Sequence, residues 1–327
     1  MRVAIILPVR NAEALLPDCL AAVTSQTRAA DEVFIVVAPS NDGTIALARR
    51  LAGPSQVVRD NPAGDRGSAI NIALTESRSD VIAMVDDRSR LAPDYLETAL
   101  IALERHAADV VGGPMRPHGR SAIGRAMAMA LQSSFGIGDS QFHFAGKARK
   151  AESVYLGVYR RSVFAAVGRY SPVLQRTEDD DMNARIREAG LQIWLDPAIR
   201  STYLCRGSFG AIWRQYHGYG YWKVGLAAAR PRAIRLRHLI PAGFVLALVA
   251  AAVISFAWWP PALPLLFASY FLTGWVAALL APRCGVVERL LFPFITLTMH
   301  LAYGTGTLTA LLAWPHLRSL VRRGAGR

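Results

Sequence analysis

Cysteine is scarce in this chain. Cys19, Cys205 and Cys284 are an odd number, far apart and without a CxxC pair, which argues against a disulfide framework or a structural zinc and fits a reducing cytoplasm. Lysine is scarcer relative to its charge class: of 37 basic residues 34 are Arg and 3 are Lys, against 24 acids. The net charge of +13 favours anionic partners such as phospholipid head groups, a lipid phosphate or a nucleotide. Zinc-ligand spacings and basic-aromatic modules are missing, so nucleic acid is not the expected partner. The N-terminal apolar run, MRVAIILPVRN, is too short for a signal-peptide core and has no small-residue cleavage site behind it; it reads as a buried strand. No internal repeat is present.

The most extensive absence lies near the C-terminus. From His238 to Pro282, 45 residues pass without Asp, Glu, Lys or Arg. About 20 apolar residues span a bilayer as a helix. The Pro260-Pro261 pair divides the stretch into two segments, Leu239–Trp259 and Ala262–Ala281, and Leu290–Leu317 is a third uncharged run of 28 residues. The missing intramembrane acids argue against a channel or transporter. Arg230, Arg232, Arg235 and Arg237 before the first segment place that side in the cytoplasm, and Arg283 and Arg289 return there after a hairpin. Arg318, Arg322, Arg323 and Arg327 also belong there, which three full spans would forbid. Either one segment is re-entrant or the charge rule fails at this end, and Gly304 and Gly306 make the third run the expected irregular one. Upstream, Phe209–Ala229 is aromatic and basic, as suits a helix in the membrane interface or, on the blander reading, an aromatic-rich core helix.

The first two hundred residues alternate. Apolar β-rich runs at Val3–Pro8, Val33–Val37, Gln56–Arg59, Val81–Val85 and Asp109–Gly112 are separated by helical patterns: one opened by Asn11 and running through Ala14, Leu15, Cys19, Leu20 and Val23, then Ile45–Leu51, Ser68–Ser77 and Pro93–His106. This predicts an α/β domain with a mostly parallel sheet covered on both faces. Ligands of such sheets bind beyond the carboxyl ends of the strands, where Asp42 and Asp86-Asp87 fall. Gly136–Ala151 has no periodicity and reads as a loop near the site. Tyr155–Tyr159 and Leu191–Leu195 read as later strands, Ser162–Val167 and Asp179–Ala189 as helices.

Thr177 to Asp181 reads TEDDD. Four adjacent acids repel one another, so folding alone does not place them there, whereas a site that must accept a proton has use for them. The bland alternative is an acidic first turn of a helix, with Asp181 pairing Arg185 at i+4.

Taken in order, ILPVRNAEALLPDCLAAVTSQT, SNDGT, NPAGDRGSAIN, MVDDRSRLAPDYLE and TEDDDMNARI resemble the motifs of family 2 glycosyltransferases over roughly the first 225 residues. LGVYRRSVFAAVGRY, WRQYHGYGYWK and RHLIPAGFVLAL resemble a narrower branch, the membrane-attached exopolysaccharide glucosyltransferases of the succinoglycan type. The resemblance implies a GT-A fold, with residues 1–207 as catalytic domain, 208–237 as interface helices and 238–327 as membrane-embedded helices. It implies an inverting transfer from a nucleotide-diphospho-sugar, UDP-linked by expectation, to a lipid-linked saccharide or polyprenyl phosphate. The setting is the inner (cytoplasmic) membrane, multi-pass, with the catalytic domain in the cytosol.

The resemblance also carries roles over to residues. Asp179, the last residue of TED, corresponds to the general base that deprotonates the acceptor hydroxyl, its pKa raised by neighbouring acids and partial desolvation. Glu178 and Asp180 support it. The leaving diphosphate calls for a divalent cation, Mg²⁺ or Mn²⁺, held by carboxylates. Here the acidic motif is Asp86-Asp87-Arg88, with arginine where the second acid belongs. Either Asp86 holds the metal with phosphate and water, or Arg88 itself meets the diphosphate; Asp87 faces ribose or sugar. Pro8, Val9 and Arg10 line the first strand end, and Asp42 and Asn71 match donor-site positions, although each also has a purely structural reading as turn former or helix-start residue. Val37-Ala38-Pro39 stands where a base-reading acid is usual. Arg160 and Arg161 are expected at the acceptor's phosphates, or else in a solvated turn. Gln215, Tyr219 and Trp222 lie where processive relatives carry QxxRW, and RQYHGYGYW is not that motif. A processive polysaccharide synthase and a non-catalytic sugar-nucleotide-binding subunit remain the alternatives.

Overall fold

The computed structural model describes residues 1–138, 146–281 and 285–325, with side chains through Val321. It divides into two compact units, Met1–Arg116 with Gln141–Tyr203, and Pro117–Ser140 with Leu204–Arg327.

The first unit is built on β1 (Val3–Val9), whose side chains are almost all buried. A run of seven residues without the polar alternation of a half-exposed strand must be covered on both faces. After β1 come α1 (Leu16–Thr24), β2 (Glu32–Val37), α2 (Thr44–Leu51), β3 (Gln56–Asp60), α3 (Arg66–Glu76), β4 (Val81–Met84), β5 (Ser89–Leu91), α4 (Tyr95–Arg105) and β6 (Val110–Gly113). The chain then passes through β7 (Arg116–His118), α5 (Ala122–Ala130) and α6 (Ser134–Ile137). It returns with β8 (Arg149–Lys150), β9 (Tyr155–Arg160), α7 (Arg161–Val167), α8 (Glu178–Glu188), β10 (Ile193–Leu195) and β11 (Ser201–Leu204).

The main sheet has the order β3-β2-β1-β4-β9-β6-β10-β8. β1 runs parallel to β2 and β4, β2 parallel to β3, and β10 parallel to β6. β9 is inserted antiparallel to both β4 and β6. One face of the sheet packs Ile6, Phe34, Val36, Ile82 and Tyr159 against Ile70 and Leu74 of α3 and Met182 and Ile186 of α8; each such side chain contributes roughly 1.5–3 kcal/mol when fully buried. The expected strands and helices of this unit are present. Two differ in detail: Asn11 takes a positive φ of 49° and α1 begins only at Leu16, and the expected loop Gly136–Ala151 begins within α6 and ends with β8, while residues 139–145 lie outside the described residues.

The second unit adds to α5 and α6 the helices α9 (Phe209–Ala229), α10 (Ile240–Ala257), α11 (Ala262–Leu280), α12 (Val286–Leu312) and α13 (Trp314–Ala325). Pro260-Pro261 separates α10 from α11. The turn is closed by Ser255, whose Oγ accepts from Leu263 N at 2.7 Å and donates to Pro260 O at 3.0 Å. α10, α11 and α12 are each long and apolar enough to cross a membrane. The expected irregularity at Gly304 and Gly306 is absent: α12 is one unbroken helix through both. The glycines serve close packing instead. A Cβ on Gly306 would collide with the carbonyl of His217, and one on Gly220 of α9 with that of Tyr303. α9 and α12 thus touch backbone to backbone, the small-residue packing used between membrane helices.

Candidate active site

Because β2 and β4 flank β1 in parallel, their carboxyl ends share an edge. Val9 pairs with Val37, and Val85 N donates to Ile6 O at 3.0 Å. Pro8 and Val9 end β1, and exposed Arg10 follows. Asp86, Asp87 and Arg88, all half-buried, leave β4 at the same edge. The turn carrying Asp86 is pinned from below by Cys19, whose Sγ donates to Asp86 O at 3.3 Å.

The residue that organises this edge is Arg66, which the motif reading did not single out. Asp65 caps α3 by accepting from Ser68 N at 2.7 Å, so Arg66 enters the site as the first helical residue. Its guanidinium pairs with Asp86 Oδ1 on one side and lies 3.2 Å from Glu178 Oε1 on the other. A single cation therefore joins two acids 92 positions apart (178 minus 86). Burial works against the charge on Arg66, but Asp86, Glu178 and Asp179 outweigh it and hold the group protonated. The signal available in the sequence was its place in NPAGDRGSAIN, one residue past a helix cap.

Glu178 opens α8 and is 4% exposed. Burial, and then the charge of Asp179, push its carboxyl well above the usual glutamate range, against the pull of Arg66. Its Oε2 is buried without a hydrogen-bond partner. Asp179 itself is exposed. The desolvation expected at Asp179 thus falls on its neighbour. Asp179 nevertheless lies on the Arg66 side of the helix, since its charge reaches Arg66, Tyr159 and Tyr170. Asp180 is half-buried, and its N–H donates to Asp179 Oδ1 at 2.9 Å. Asp181 pairs with Arg185 at 3.0 Å as expected, and Arg185 also donates to the carbonyls of Val167 and Arg169, tying α8 to the end of α7.

The other expected site residues are distributed unevenly. Asn71 is spent on the backbone: its Nδ2 donates to Tyr170 O at 2.8 Å and its Oδ1 accepts from Tyr170 N at 3.0 Å. It positions the segment leading to Glu178. Gly67 lets α3 approach that segment, because a Cβ there would strike the carbonyl of Ser171. Asp42 shapes the start of α2, accepting from Thr44 N at 3.1 Å and from Glu13 N at 3.2 Å; these bonds, the Thr44 hydroxyl first, hold its carboxyl below the usual range. Arg160 and Arg161 are corrected. β9 runs antiparallel to β4, with Arg160 opposite Val81, so both arginines emerge at the amino end of β4, away from Asp86. There Arg160 donates to Ala108 O at 2.9 Å and pairs with Glu104 at 2.8 Å, and Arg161 donates to Ser79 O and Ser77 Oγ. Gln215, Tyr219 and Trp222 lie on α9 in the second unit. Gln215 Nε2 donates to Tyr219 Oη at 2.9 Å, and Trp222 packs against the Val224, Ala310 and Leu317 cluster.

Whether Asp86 could hold a divalent ion turns on its donor set. Its carboxylate is engaged by Arg66, Arg88 stands at the position of the second motif acid, and no group of three or more His, Cys, Asp or Glu side chains converges among the described residues. These residues do not form a metal cage as they stand.

Residues 4–168 match the model of the family described as "Glycosyl transferase family 2". The chain belongs to this family. Family 2 glycosyltransferases commonly use divalent cations. Among relatives of this glycosyltransferase, the "Succinoglycan biosynthesis protein ExoA" of Rhizobium meliloti (strain 1021) is 27% identical over 290 residues, covering 86% of each chain. The "O-antigen chain rhamnosyltransferase RfbN" of Salmonella typhimurium is 24% identical over 209 residues, 59% of this chain and 63% of that one. Among solved structures, residues 1–349 of S. aureus TarS superpose with a TM-score of 0.50 at 15% identity, covering 96% of this chain and 92% of that chain. The same protein in complex with UDP gives 0.50 at 16% identity. The GT-A-like fold of this glycosyltransferase follows from that likeness together with its sheet.

Proposed function

We propose that this family 2 enzyme performs an inverting transfer of a sugar from a nucleotide-diphospho-sugar, UDP-linked, to a lipid-linked saccharide or polyprenyl phosphate, in exopolysaccharide or cell-envelope synthesis. The observation that carries the reading is Arg66 joining Asp86 to Glu178, which brings the strand-end acids and the TED turn to one place. Similarity to a succinoglycan biosynthesis protein and an O-antigen rhamnosyltransferase supports the pathway class, and the UDP complex of TarS supports the donor class.

In this reading Asp179, the accessible acid of the turn, takes the proton of the acceptor hydroxyl as its oxygen attacks the anomeric carbon. The bond from that carbon to the diphosphate breaks, and inversion follows from attack opposite the leaving group. Arg66 offsets part of the acidic charge, and Arg88, two residues from Asp86, is the cation that would meet the departing diphosphate. A divalent ion at Asp86 would have to compete with Arg66 for that carboxylate, so no step is assigned to one. Asp87 with Pro8, Val9 and Arg10 would line the nucleotide side, Glu178 and Asp180 would support the base, and Gln215, Tyr219 and Trp222 would belong to the acceptor side. The catalytic residues lie within 1–207, and 208–327 attach the enzyme to the cytoplasmic membrane with the catalytic domain in the cytosol.

The test is nucleotide release from a panel of nucleotide sugars by the purified full chain, with lipid-linked acceptor and with added or chelated Mn²⁺. Release with one donor that depends on acceptor and on Asp179 supports the reading. Nucleotide binding without turnover for every donor would favour the non-catalytic subunit instead.

A further inference from the structure

We propose that α12 does not cross the membrane: the α10–α11 hairpin is the spanning element, and α12 stays within the hairpin's open half, returning the C-terminus to the side from which α10 sets out. By length and composition alone α12 qualifies as a span. Its packing is what argues otherwise.

The argument follows the depth at which α12 meets the hairpin. At 1.5 Å per residue, Tyr270 and Gly274 of α11 lie about 12 and 18 Å from the Pro260-Pro261 turn, and Val245 and Pro241 of α10 about 18 and 24 Å. Early in α12, Pro293 sits where a Cβ on Gly274 would be, and Phe294 packs on Phe271 with ring centroids 4.9 Å apart. Further along, His300 Nδ1 is 2.8 Å from Tyr270 Oη. Further still, a Cβ on Gly304 would strike the Pro241 carbonyl and Val245. From Pro293 to Gly304 the helix advances about 16 Å. Had it run beside α11 toward the turn, Gly304 would lie close to the turn itself. It lies instead against the first residues of α10. α12 therefore meets α11 around its middle and then α10 near its first residues, and does not advance toward the turn.

Burial follows the same division. Among the hairpin residues only Ala242, Ala251, Gly274 and Ala278 are buried, whereas Phe292, Ile295, Met299, Ala302, Gly306 and Ala310 of α12 are covered. α12 buries one face on α9, α5 and the hairpin and keeps Val287, Leu290, Phe294, Leu311 and Leu312 exposed, an apolar edge suited to the lipid boundary. Its first turn holds Glu288, paired with Arg125 of α5 at 2.7 Å. The helices of the hairpin, with 18 and 19 residues, are about 27–28 Å long and match a hydrocarbon core of about 30 Å. The arrangement also removes the charge conflict. Arg318 of α13 ends on the same side as Arg230, Arg232, Arg235 and Arg237, as the positive-inside rule asks.

Three positions in the full chain, each carrying one new cysteine in a Cys284→Ser background, test this with a membrane-impermeant maleimide on intact and permeabilised spheroplasts; Cys19 and Cys205 are buried. Ile101→Cys marks the catalytic domain, Trp258→Cys or Trp259→Cys the hairpin turn, and a cysteine added after Arg327 the C-terminus. The expected result is that position 101 and the C-terminal cysteine share one side and the turn lies on the other. A C-terminal cysteine opposite to position 101 would show that α12 spans, and a turn on the same side as position 101 would show that the hairpin does not; either overturns the proposal. Labelling of 101 and the C-terminus from outside, with the turn inside, would uphold this topology while refuting the cytosolic orientation proposed above.

Discussion

Glu32 and Glu178 are the same side chain at opposite ends of one sheet, and their surroundings differ in kind. Glu32, at the amino end, accepts from Ser77 Oγ at 2.7 Å, Ser79 Oγ at 2.8 Å and the N–H of Arg78. Burial pushes its carboxyl up, but these donors win and hold it below the usual range. Arg161 donates into the same network through Ser77, and Arg160 is spent on Ala108 O and Glu104. At the carboxyl end Glu178 is more deeply buried, keeps one oxygen without a hydrogen bond, and shares its single cation with Asp86. One end of the sheet uses its charges to hold the chain. The other gathers acids around one cation and leaves a buried carboxyl perturbed, the kind of cluster that marks a candidate functional site.

The largest expected effect is at Asp179. Asp179→Asn should lower the transfer rate by about 10²–10⁴-fold, the usual contribution of a positioned base, while calorimetry shows nucleotide binding near that of the parent. Retained turnover would remove the base assignment and blur the difference between the two ends.

Next, Arg66→Gln and Arg160→Gln contrast the ends directly. Without Arg66, Asp86 and buried Glu178 lose their shared cation, and donor affinity should fall by about 10–100-fold, in line with about 1.5–3 kcal/mol for a charged hydrogen-bonded partner. Arg160→Gln should leave donor affinity and transfer unchanged and cost about 1–3 kcal/mol of stability, because Ala108 O loses its donor while the pair with Glu104 adds little. Equal losses of donor affinity in both variants would refute the placement of the site.

Asn71→Ala should cost about 1–3 kcal/mol in urea unfolding of the catalytic unit, since both backbone groups of Tyr170 lose their partner. Transfer should fall with it, through loosening of the segment that leads to Glu178, with nucleotide affinity less affected than the rate.

The smallest effect separates the glutamates by pH. Glu178 has a raised folded-state pKa, so the folded protein binds the extra proton and this contribution to stability declines as pH rises from the ordinary glutamate range through the raised value. Glu32 has a lowered one, so its contribution is present above the ordinary range and declines as pH falls. Glu178→Gln should therefore gain in Tm relative to the parent as pH is raised, and Glu32→Gln should lose most at neutral pH and converge with the parent in acid. Parallel curves for the two variants would mean that the ends do not differ electrostatically.

Much of this was legible in the residues because it depends on local pattern. Uniformly apolar runs such as Val3–Val9 require a sheet covered on both faces, and acids directly after β2 and β4 land on the ligand-binding edge whenever those strands run parallel. The Pro260-Pro261 pair divides an uncharged stretch into two helices wherever they pack. Arg66 was harder to see, for it belongs to no acidic or nucleophilic cluster and acquires meaning only from Asp86 and Glu178, which are distant in the chain. The assignment of Arg160 and Arg161 to the acceptor failed on one bit of information, the direction of β9. Periodicity identifies a strand without saying which way it runs.

By itself, then, the order of residues determined which segments are strands, which are apolar helices and where acids accumulate, since propensity and hydrophobic period act over a few neighbours at a time. The tertiary structure alone decided which end of the sheet β9 delivers its arginines to, which cation stands between Asp86 and Glu178, and that α12 passes across the hairpin instead of alongside it. Those outcomes are set by partners far apart in the chain, and by glycines at positions 220, 304 and 306 that allow backbones to meet where any larger side chain would hold them apart.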